Sequence, residues 1–380
     1  MTEYKTKAFV PAPGLRNGHL MTIAPIFRLR AQLPASDCRR LTIEVAPGNY
    51  VTGYLHEAGS GKLPGESALM VIVHGLESSA QASYVQGLCK KALAAGFSVF
   101  RMNMRNCEGT LSLSHTLYNA GLSDDLVAVV KQLRNDYGYK AVFACGFSLG
   151  GNMVLKAAGE LGRVNSRLLD GVVAVSPPIE LDVSVSAIES GVNRLYEFNF
   201  LLGLKRKIRA KEKLFPGKFD MQRLAGIKTL REFDNYFTAV DAGYDGAASY
   251  YHGASAMRCL SDIQCPALII AAKDDPLVPF EASFKTISRS SGTAHPVKLL
   301  APEHGGHVSF IAYEDMHLGD LKHVLSREQA GELLPDLAAK QLTAGLANGA
   351  GDWQQGADPY WAEWQALAFC LKCCAVAASQ

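Results

Sequence analysis

Short apolar runs recur along the chain, separated by longer stretches in which apolar residues return every three or four positions. The runs Ala68–Val73, Ser98–Met102, Ala141–Cys145, Val172–Val175, Ala267–Ala271 and Val297–Leu300 predict strands. They are rich in Val, Ile and Leu, which suits strands covered on both faces. The helical spacing predicts helices over Tyr84–Ala95, Ser123–Tyr137, Asn152–Leu161 and Glu281–Ser288. Strand alternating with helix implies an α/β fold with a mostly parallel sheet flanked by helices. Upstream, Arg40–Val45 and Val51–Leu55 flank Pro47-Gly48 and predict an antiparallel hairpin at the sheet edge.

Two stretches break this rhythm. Pro177–Gln264 is polar, aromatic and mostly helical, and reads as a cap inserted over the C-terminal edge of the sheet. The core is then divided into residues 1–176 and 265–380. Ala312–Asp358, rich in Ala, Gly and Leu, reads as an insertion that is a second lid, a dimer element or a mobile loop. It precedes a last helix, Tyr360–Cys374, with an amphipathic pattern.

Composition narrows the class. Of the 380 residues, 48% are hydrophobic and 19% charged, which excludes disorder and supports a large core. A net charge of +2 provides no electrostatic case for a nucleic-acid partner. No apolar run approaches the roughly 18 residues of a membrane span. Met1–Pro13 mixes charges and prolines where a signal peptide needs an apolar segment. The nine cysteines lack the spacing of a disulfide framework. These features lead us to expect a cytoplasmic protein. Cys370, Cys373 and Cys374 form a C-x-x-C-C cluster, read as core packing rather than a metal or redox site.

The strongest chemical signal is Gly146-Phe147-Ser148-Leu149-Gly150-Gly151, placed between a predicted strand and a predicted helix. That is the context of a G-x-S-x-G nucleophile elbow, where the serine adopts a strained turn and needs glycines around it. A serine hydroxyl is a weak nucleophile and needs a base oriented by an acid. On this kind of sheet the chain order is Ser, acid, His. The strand Ala267–Ala271 leads into Asp274-Asp275-Pro276-Leu277-Val278-Pro279, so the acid is Asp275 or Asp274, with Asp275 preferred. The last predicted strand leads into His304-Gly305-Gly306-His307, where His307 is the preferred base. An H-x-x-H metal site lacks a supporting third ligand, and neither metal nor cofactor is expected. Backbone N–H groups of Leu149 and Leu76 are the candidate oxyanion hole, the latter in the loop His74-Gly75-Leu76. Asp274, His304 and His74 adjoin these positions and are expected to support them rather than react.

With these pieces in place the chain resembles the α/β-hydrolase superfamily, and within it the YheT-like serine esterase branch. The likeness rests on Asn17-Gly18-His19-Leu20-Met21-Thr22-Ile23, Asn103-Met104-Arg105-Asn106-Cys107-Glu108-Gly109 and Leu117-Tyr118-Asn119-Ala120-Gly121 with Asp124-Asp125-Leu126. It extends to Leu230-Arg231-Glu232-Phe233-Asp234, Tyr250-Tyr251, Ser255 and Tyr360-Trp361-Ala362-Glu363. It covers roughly residues 8–311 and 359–375. Asn119 stands where the family usually has histidine. The resemblance implies an α/β-hydrolase fold and Ser148, Asp275 and His307 as nucleophile, acid and base. The implied function is that of a serine carboxylesterase acting on short- to medium-chain esters through an acyl-enzyme. An alcohol acyltransferase or a lipid-directed lipase would use the same triad. A non-catalytic receptor ranks last, because every triad residue and elbow glycine is present.

Several polar groups stand apart from the triad. His19, Arg231, Glu232 and Asp234 are read as a buried network pinning the cap, or as part of the pocket. The basic run Lys205–Lys213, with Leu201, Leu204, Ile208 and Phe215, is a solvated helix face or a weak contact with anionic lipid. Phe198, Phe200, Tyr236 and Phe237 line an acyl pocket or form the cap's own core.

Overall fold

A computed structural model of the chain describes residues 7–28, 30, 32–34, 37–58, 68–290, 296–323 and 357–378. Side chains on successive strand residues point to opposite faces, and strand β3 (Ala68–Val73) shows the consequence. Leu69, Val71 and Val73 enter one apolar core while Ala68, Met70 and Ile72 enter another. A strand apolar at every position is therefore a strand with a core on each side.

The other strands of the main sheet are β1 (Arg39–Ala46), β2 (Asn49–His56), β4 (Ser98–Asn103), β5 (Ala141–Phe147), β6 (Gly171–Val175), β7 (Ala267–Ile270) and β8 (Val297–Leu300). They lie in the order β1-β2-β4-β3-β5-β6-β7-β8. The β1–β2 and β2–β4 pairs are antiparallel and the rest parallel. The predicted edge hairpin and all six predicted central strands are present. Because β3 sits between β4 and β5, the strand order reverses there. Crevices at such reversals, at the C-terminal ends of the strands, are where α/β sheets place ligands.

Twelve helices are used below. They are α1 (Gly18–Ile23), α2 (Ser83–Ala94), α3 (Ser123–Tyr137), α4 (Leu149–Arg163), α5 (Leu181–Ile188), α6 (Arg194–Leu214), α7 (Met221–Gly226), α8 (Leu230–Phe233), α9 (Ala239–Asp241), α10 (Ala247–Ala254), α11 (Phe280–Ser290) and α12 (Trp361–Ala378). Helices α3, α4 and α11 cover one sheet face, and α2 and α12 the other. Helix α4 begins three residues earlier than its pattern predicts, directly after Ser148. Gly150 and Gly151 are poor helix formers, so the packing of the elbow, not local propensity, starts the helix. Helices α5 to α10 all lie between β6 and β7, in the stretch expected to be helical. Among the described residues, no helix is long and apolar enough to cross a membrane.

Two expectations are corrected near the C-terminus. The insertion expected from Ala312 starts inside a strand, β9 (Ile311–Met316), which pairs antiparallel with β10 (Asp358–Tyr360). A short 3₁₀ turn, Leu318–His323, follows, and residues 324–356, most of that stretch, lie outside the described residues. Helix α12 is not amphipathic in its surroundings: every residue from Trp361 to Leu371 is buried. It lies against α2, β5, β6, β7 and β9, which cover that stretch. Cys370 packs there with its sulfur 3.9 Å from that of Cys145, and burial pushes its thiol pKa well up.

The polar start of α12 is held by charge. Glu363 accepts from Arg30 (2.6 and 2.8 Å) and from Lys91 of α2 (2.7 Å), and Lys91 also contacts Asp358 at 2.5 Å. Burial alone would raise the Glu363 pKa, but the two cations outweigh it and hold the carboxyl below its usual range. A Cβ at Gly87 would fall 1.9 Å from the Arg30 guanidinium, so glycine opens the space in α2 for this cluster. Removing one charge from a buried cluster strands the others. Glu363→Gln is therefore expected to lower the unfolding free energy by about 3 kcal/mol or more, read from urea unfolding. A change under ~1 kcal/mol would show that α12 is held by its apolar contacts alone.

Candidate active site

The turn from β5 into α4 is the tightest feature of the sheet. Ser148 has φ 51° and ψ −121°, a conformation rare for a residue with a side chain. A Cβ at Gly146 would lie 2.1 Å from the Gly150 carbonyl oxygen. One at Gly150 would lie 2.5 Å from the carbonyl oxygens of Val73 and His74. Both positions admit only glycine, because the elbow is pressed against itself and against the end of β3. The Ser148 N–H donates to Val175 O (2.8 Å), tying the elbow to β6 as well.

Three side chains distant in sequence meet here. His307 Nε2 is 2.9 Å from Ser148 Oγ, and His307 Nδ1 is 2.9 and 3.2 Å from the two Asp275 oxygens. An ionised carboxylate only accepts, so Nδ1 carries the proton and the Nε2 lone pair faces the serine hydroxyl. The Asp275 side chain is 1% exposed, and its Oδ1 also accepts from the N–H groups of Leu277 (2.9 Å) and Val278 (3.1 Å). The Pro276-Leu277-Val278 turn thus supplies donors that solvent cannot.

The competing pair forms a parallel contact one residue away. His304 Nδ1 lies 3.3 Å from Asp274 Oδ2, and Asp274 Oδ1 accepts from the Gly306 N–H at 2.9 Å. Asp274 and His304 therefore brace the loop that carries His307 and do not reach Ser148. Another brace had no distinguishing signal in the sequence beyond its place in the amino-terminal motif. Thr22 of α1 accepts from the His307 N–H (2.9 Å) and donates to Gly18 O (2.6 Å). Ser176 Oγ accepts from Val308 N–H at 3.1 Å. Val308 and Phe310 have φ of 70° and 43°, so this loop is held in a strained path by its partners.

Leu76 and Leu149 line the same cavity as Ser148 and His307. The peptide that presents the Leu76 N–H also contains the Gly75 carbonyl, and in a trans peptide the two point in opposite directions. His74 takes hold of that carbonyl. Its Nε2 accepts from the Met104 N–H (3.1 Å), which leaves Nδ1 protonated to donate to Gly75 O (2.7 Å). Complete burial, chiefly, lowers the His74 pKa to about 4, so the ring is neutral and this tautomer is stable. Tyr84 and Tyr118 complete the loop's support: their hydroxyls accept from the N–H groups of Gly75 and Glu77, both at 3.0 Å. Neither tyrosine carries a motif that marks it for this role.

The cavity occupies about 740 Å³ including its open mouth. Its aliphatic lining comes mainly from Leu181, Val185 and Ile188 of α5, Leu204 of α6, Leu230, and Leu277 and Val278 beside Asp275. Of the four aromatic residues proposed for the cap, Phe200 lines it. Phe237 is buried and stacks on Phe233 (5.3 Å), whereas Phe198 and Tyr236 are exposed. The basic run divides: Arg206, Arg209 and Lys213 are exposed, as expected of a solvated helix face, while other positions turn inward. Leu201, Leu204 and Ile208 face inward, Lys207 pairs with Glu77 (2.7 Å), and buried Lys211 bonds Asn106 Oδ1 at 2.8 Å. Helix α6 is thus anchored on this side by its own cations, and its apolar face belongs to the core.

The network proposed for His19, Arg231, Glu232 and Asp234 divides. Arg231 pairs with Asp182 (2.5 Å), Glu232 caps α8 through Thr229, and Asp234 accepts from the Tyr251 hydroxyl (2.8 Å). These contacts join helices within the β6–β7 segment. His19 instead stacks on Tyr196 at 5.9 Å, partly exposed. Asn119 lines the cavity, its Oδ1 accepting from the Gly121 N–H at 2.8 Å. Among the described residues, no three His, Cys, Asp or Glu side chains gather as a metal site would require.

Comparison with known proteins agrees with this architecture. Residues 68–312 match the family described as α/β hydrolase fold. The chain is 32% identical over 319 residues to YheT of Escherichia coli (strain K12), spanning 83% of this chain and 91% of that protein. It is 26% identical over 320 residues to the human monoacylglycerol lipase ABHD2, spanning 80% of this chain and 75% of that one. A solved 2,6-dihydroxy-pseudo-oxynicotine hydrolase superimposes with a TM-score of 0.50 at 18% identity, covering 80% of this chain and 68% of its own, a likeness of fold alone. With the strained serine turn, the sheet order and these matches in hand, the chain belongs to the α/β-hydrolase family, in its YheT-like branch.

Proposed function

We propose that this protein is a serine carboxylesterase that cleaves esters of short to medium acyl chains through an acyl-enzyme. The observation that carries the reading is the relay Asp275–His307–Ser148, with 2.9 Å at each step, opening on a largely aliphatic cavity. His307 Nε2 takes the hydroxyl proton as Ser148 Oγ attacks the ester carbonyl. Asp275 keeps the imidazole in the required tautomer and stabilises the imidazolium that forms. The N–H groups of Leu149 and Leu76 stabilise the tetrahedral oxyanion, a contribution of about 3 kcal/mol for each donor. His307 then protonates the departing alcohol, and water enters by the reverse sequence to release the acid. Each step uses groups of this chain alone.

The relatives support ester chemistry: YheT is named as a candidate esterase and ABHD2 as a monoacylglycerol lipase. The aliphatic walls favour a substrate with a hydrocarbon chain, which is where esterase and lipase readings meet.

Three tests follow from the geometry. Ser148→Ala is expected to lose labelling by a fluorophosphonate and to lower p-nitrophenyl ester turnover by roughly 10⁴-fold or more. Near-normal turnover in a folded variant would remove Ser148 from the mechanism. Asp275→Asn is expected to reduce kcat by about 10⁴-fold, because the amide oxygen stays on the Leu277 and Val278 N–H groups while its NH2 faces His307 and favours the wrong imidazole tautomer, with no charge to stabilise the imidazolium. Asp274→Asn, one shell further out, is expected to stay within about tenfold; the opposite ranking would exchange the two roles.

His74 acts through the Leu76 peptide, so His74→Asn is expected to lower kcat by about 10²-fold with little change in KM. The same residue links stability to pH. Its pKa is depressed in the fold from 6.5 to about 4, so the unfolded chain binds the proton first. The stability it contributes is complete above pH 6.5 and is lost as pH falls through 4, in total about 3 kcal/mol. Unfolding free energies measured from pH 7 to pH 4 should fall less steeply in His74→Asn than in the wild type. Equal slopes would mean that the ring is not held neutral.

A further inference from the structure

The aliphatic cavity has one wall of different chemistry. Between α8 and α9 the helix widens into a π-turn, Asp234–Thr238, in which the Ala239 N–H reaches back five residues to Asp234 O. Such turns are rare and occur frequently at functional sites. Here Asp234 and Thr238 both line the cavity that contains Ser148 and His307, beside Tyr250 and Tyr251.

Joining Tyr251 to the π-turn does not account for a carboxylate. That bond needs only an acceptor, which a neutral amide would provide without the cost of burying a charge. Among the described residues no ion pair compensates Asp234: the nearby Arg231 spends its guanidinium on Asp182 and Glu189. Burial, chiefly, raises the Asp234 pKa to about 6, so at neutral pH the group is still mostly ionised. A carboxylate has about four acceptor positions. Donation by the Tyr251 hydroxyl, and by the Thr238 side chain, leaves acceptor capacity on a residue that borders the cavity.

We infer that Asp234 is a substrate-recognition residue, which accepts a hydrogen bond from a free hydroxyl group of the ester and so makes hydroxylated esters the preferred substrate class. The inference rests on the esterase reading above and names the substrate for the same site. A hydroxyl fits better than an ammonium group. It satisfies the acceptor without bringing a second charge, with its own desolvation cost, into aliphatic surroundings. A site that hydrogen-bonds a substrate hydroxyl discriminates against the analogue that lacks it, whereas an extra methylene in an apolar pocket discriminates weakly.

The test uses matched pairs of esters. On the acyl side, p-nitrophenyl ω-hydroxyalkanoates of four to twelve carbons are compared with alkanoates of equal length. On the alcohol side, 3-hydroxypropyl hexanoate is compared with butyl hexanoate, and an ω-amino ester of matched length is included. The wild type is expected to favour the hydroxylated member of at least one pair by roughly tenfold or more in kcat/KM. In Asp234→Asn and Asp234→Leu that ratio is expected to fall towards unity. Because it compares two substrates in one preparation, it is unaffected by the fraction of the variant that folds, and fluorophosphonate labelling counts the competent sites. Absence of a preference in every pair, a preference unchanged in both variants, or a stronger preference for the amino ester would overturn the inference. Turnover without hydroxyl preference defeats this inference alone. Absence of turnover on every ester defeats the esterase reading and this one with it.

Discussion

Backbone pressed against backbone at the end of β3 is the constraint on which the site depends. The Gly150 Cα has the Val73 and His74 carbonyls against it, and Gly146 faces the Gly150 carbonyl. With no room for a Cβ, the chain leaves β5 through a left-handed serine and enters α4 at once. The same contact brings the loop after β3, which contains Leu76, beside the loop after β5, which contains Ser148. Strand order adds to this: β3 and β5 are neighbours because the chain reverses direction across the sheet after β4. Candidate nucleophile and candidate oxyanion donors are thus consequences of one packing arrangement.

Around that point, the supporting groups do different work from the candidate triad. Asp275 and His307 touch the serine relay. Asp274, His304, Thr22 and Ser176 hold the loop that delivers His307 through its backbone or its neighbours. The loop needs these partners because Val308 and Phe310 are in backbone conformations that side chains disfavour. On the other side, His74 fixes one peptide plane through its carbonyl. Buried polar groups with all their bonds made are rigid, and rigidity is what an oxyanion site requires of its donors.

The β6–β7 segment meets the same physics with different results. Its cations are largely used up internally or against the core: Lys207 on Glu77, Lys211 on Asn106, Arg231 on Asp182. They position α5, α6 and the helix containing the π-turn, and these elements in turn supply the aliphatic walls and the one carboxylate of the cavity. The far end of the molecule relies on a similar device, the Arg30–Lys91–Glu363 cluster at the start of a helix whose buried side chains are mostly apolar.

Local sequence determined the strands of the main sheet, most of the helices packed on it and the identity of the serine turn, because their signals are periodicity and glycine placement, which act over a few residues. It also narrowed the acid and base to two aspartates and two histidines. It preferred Asp275 to Asp274 for the turn ending in Val278-Pro279 that follows, but which way successive side chains point along that turn is not a local property. In the tertiary structure Asp275 receives the Leu277 and Val278 N–H groups and faces His307, while Asp274 faces His304. Tertiary structure likewise placed Thr22, Tyr84 and Tyr118 against the site, and it buried α12 from Trp361 to Leu371 despite its amphipathic spacing. The inward face of α6 and the π-turn at Asp234 belong to the same class. The reason is common to all of them: their partners lie tens to hundreds of residues away, and a pattern confined to a short window contains no record of what the chain will fold against.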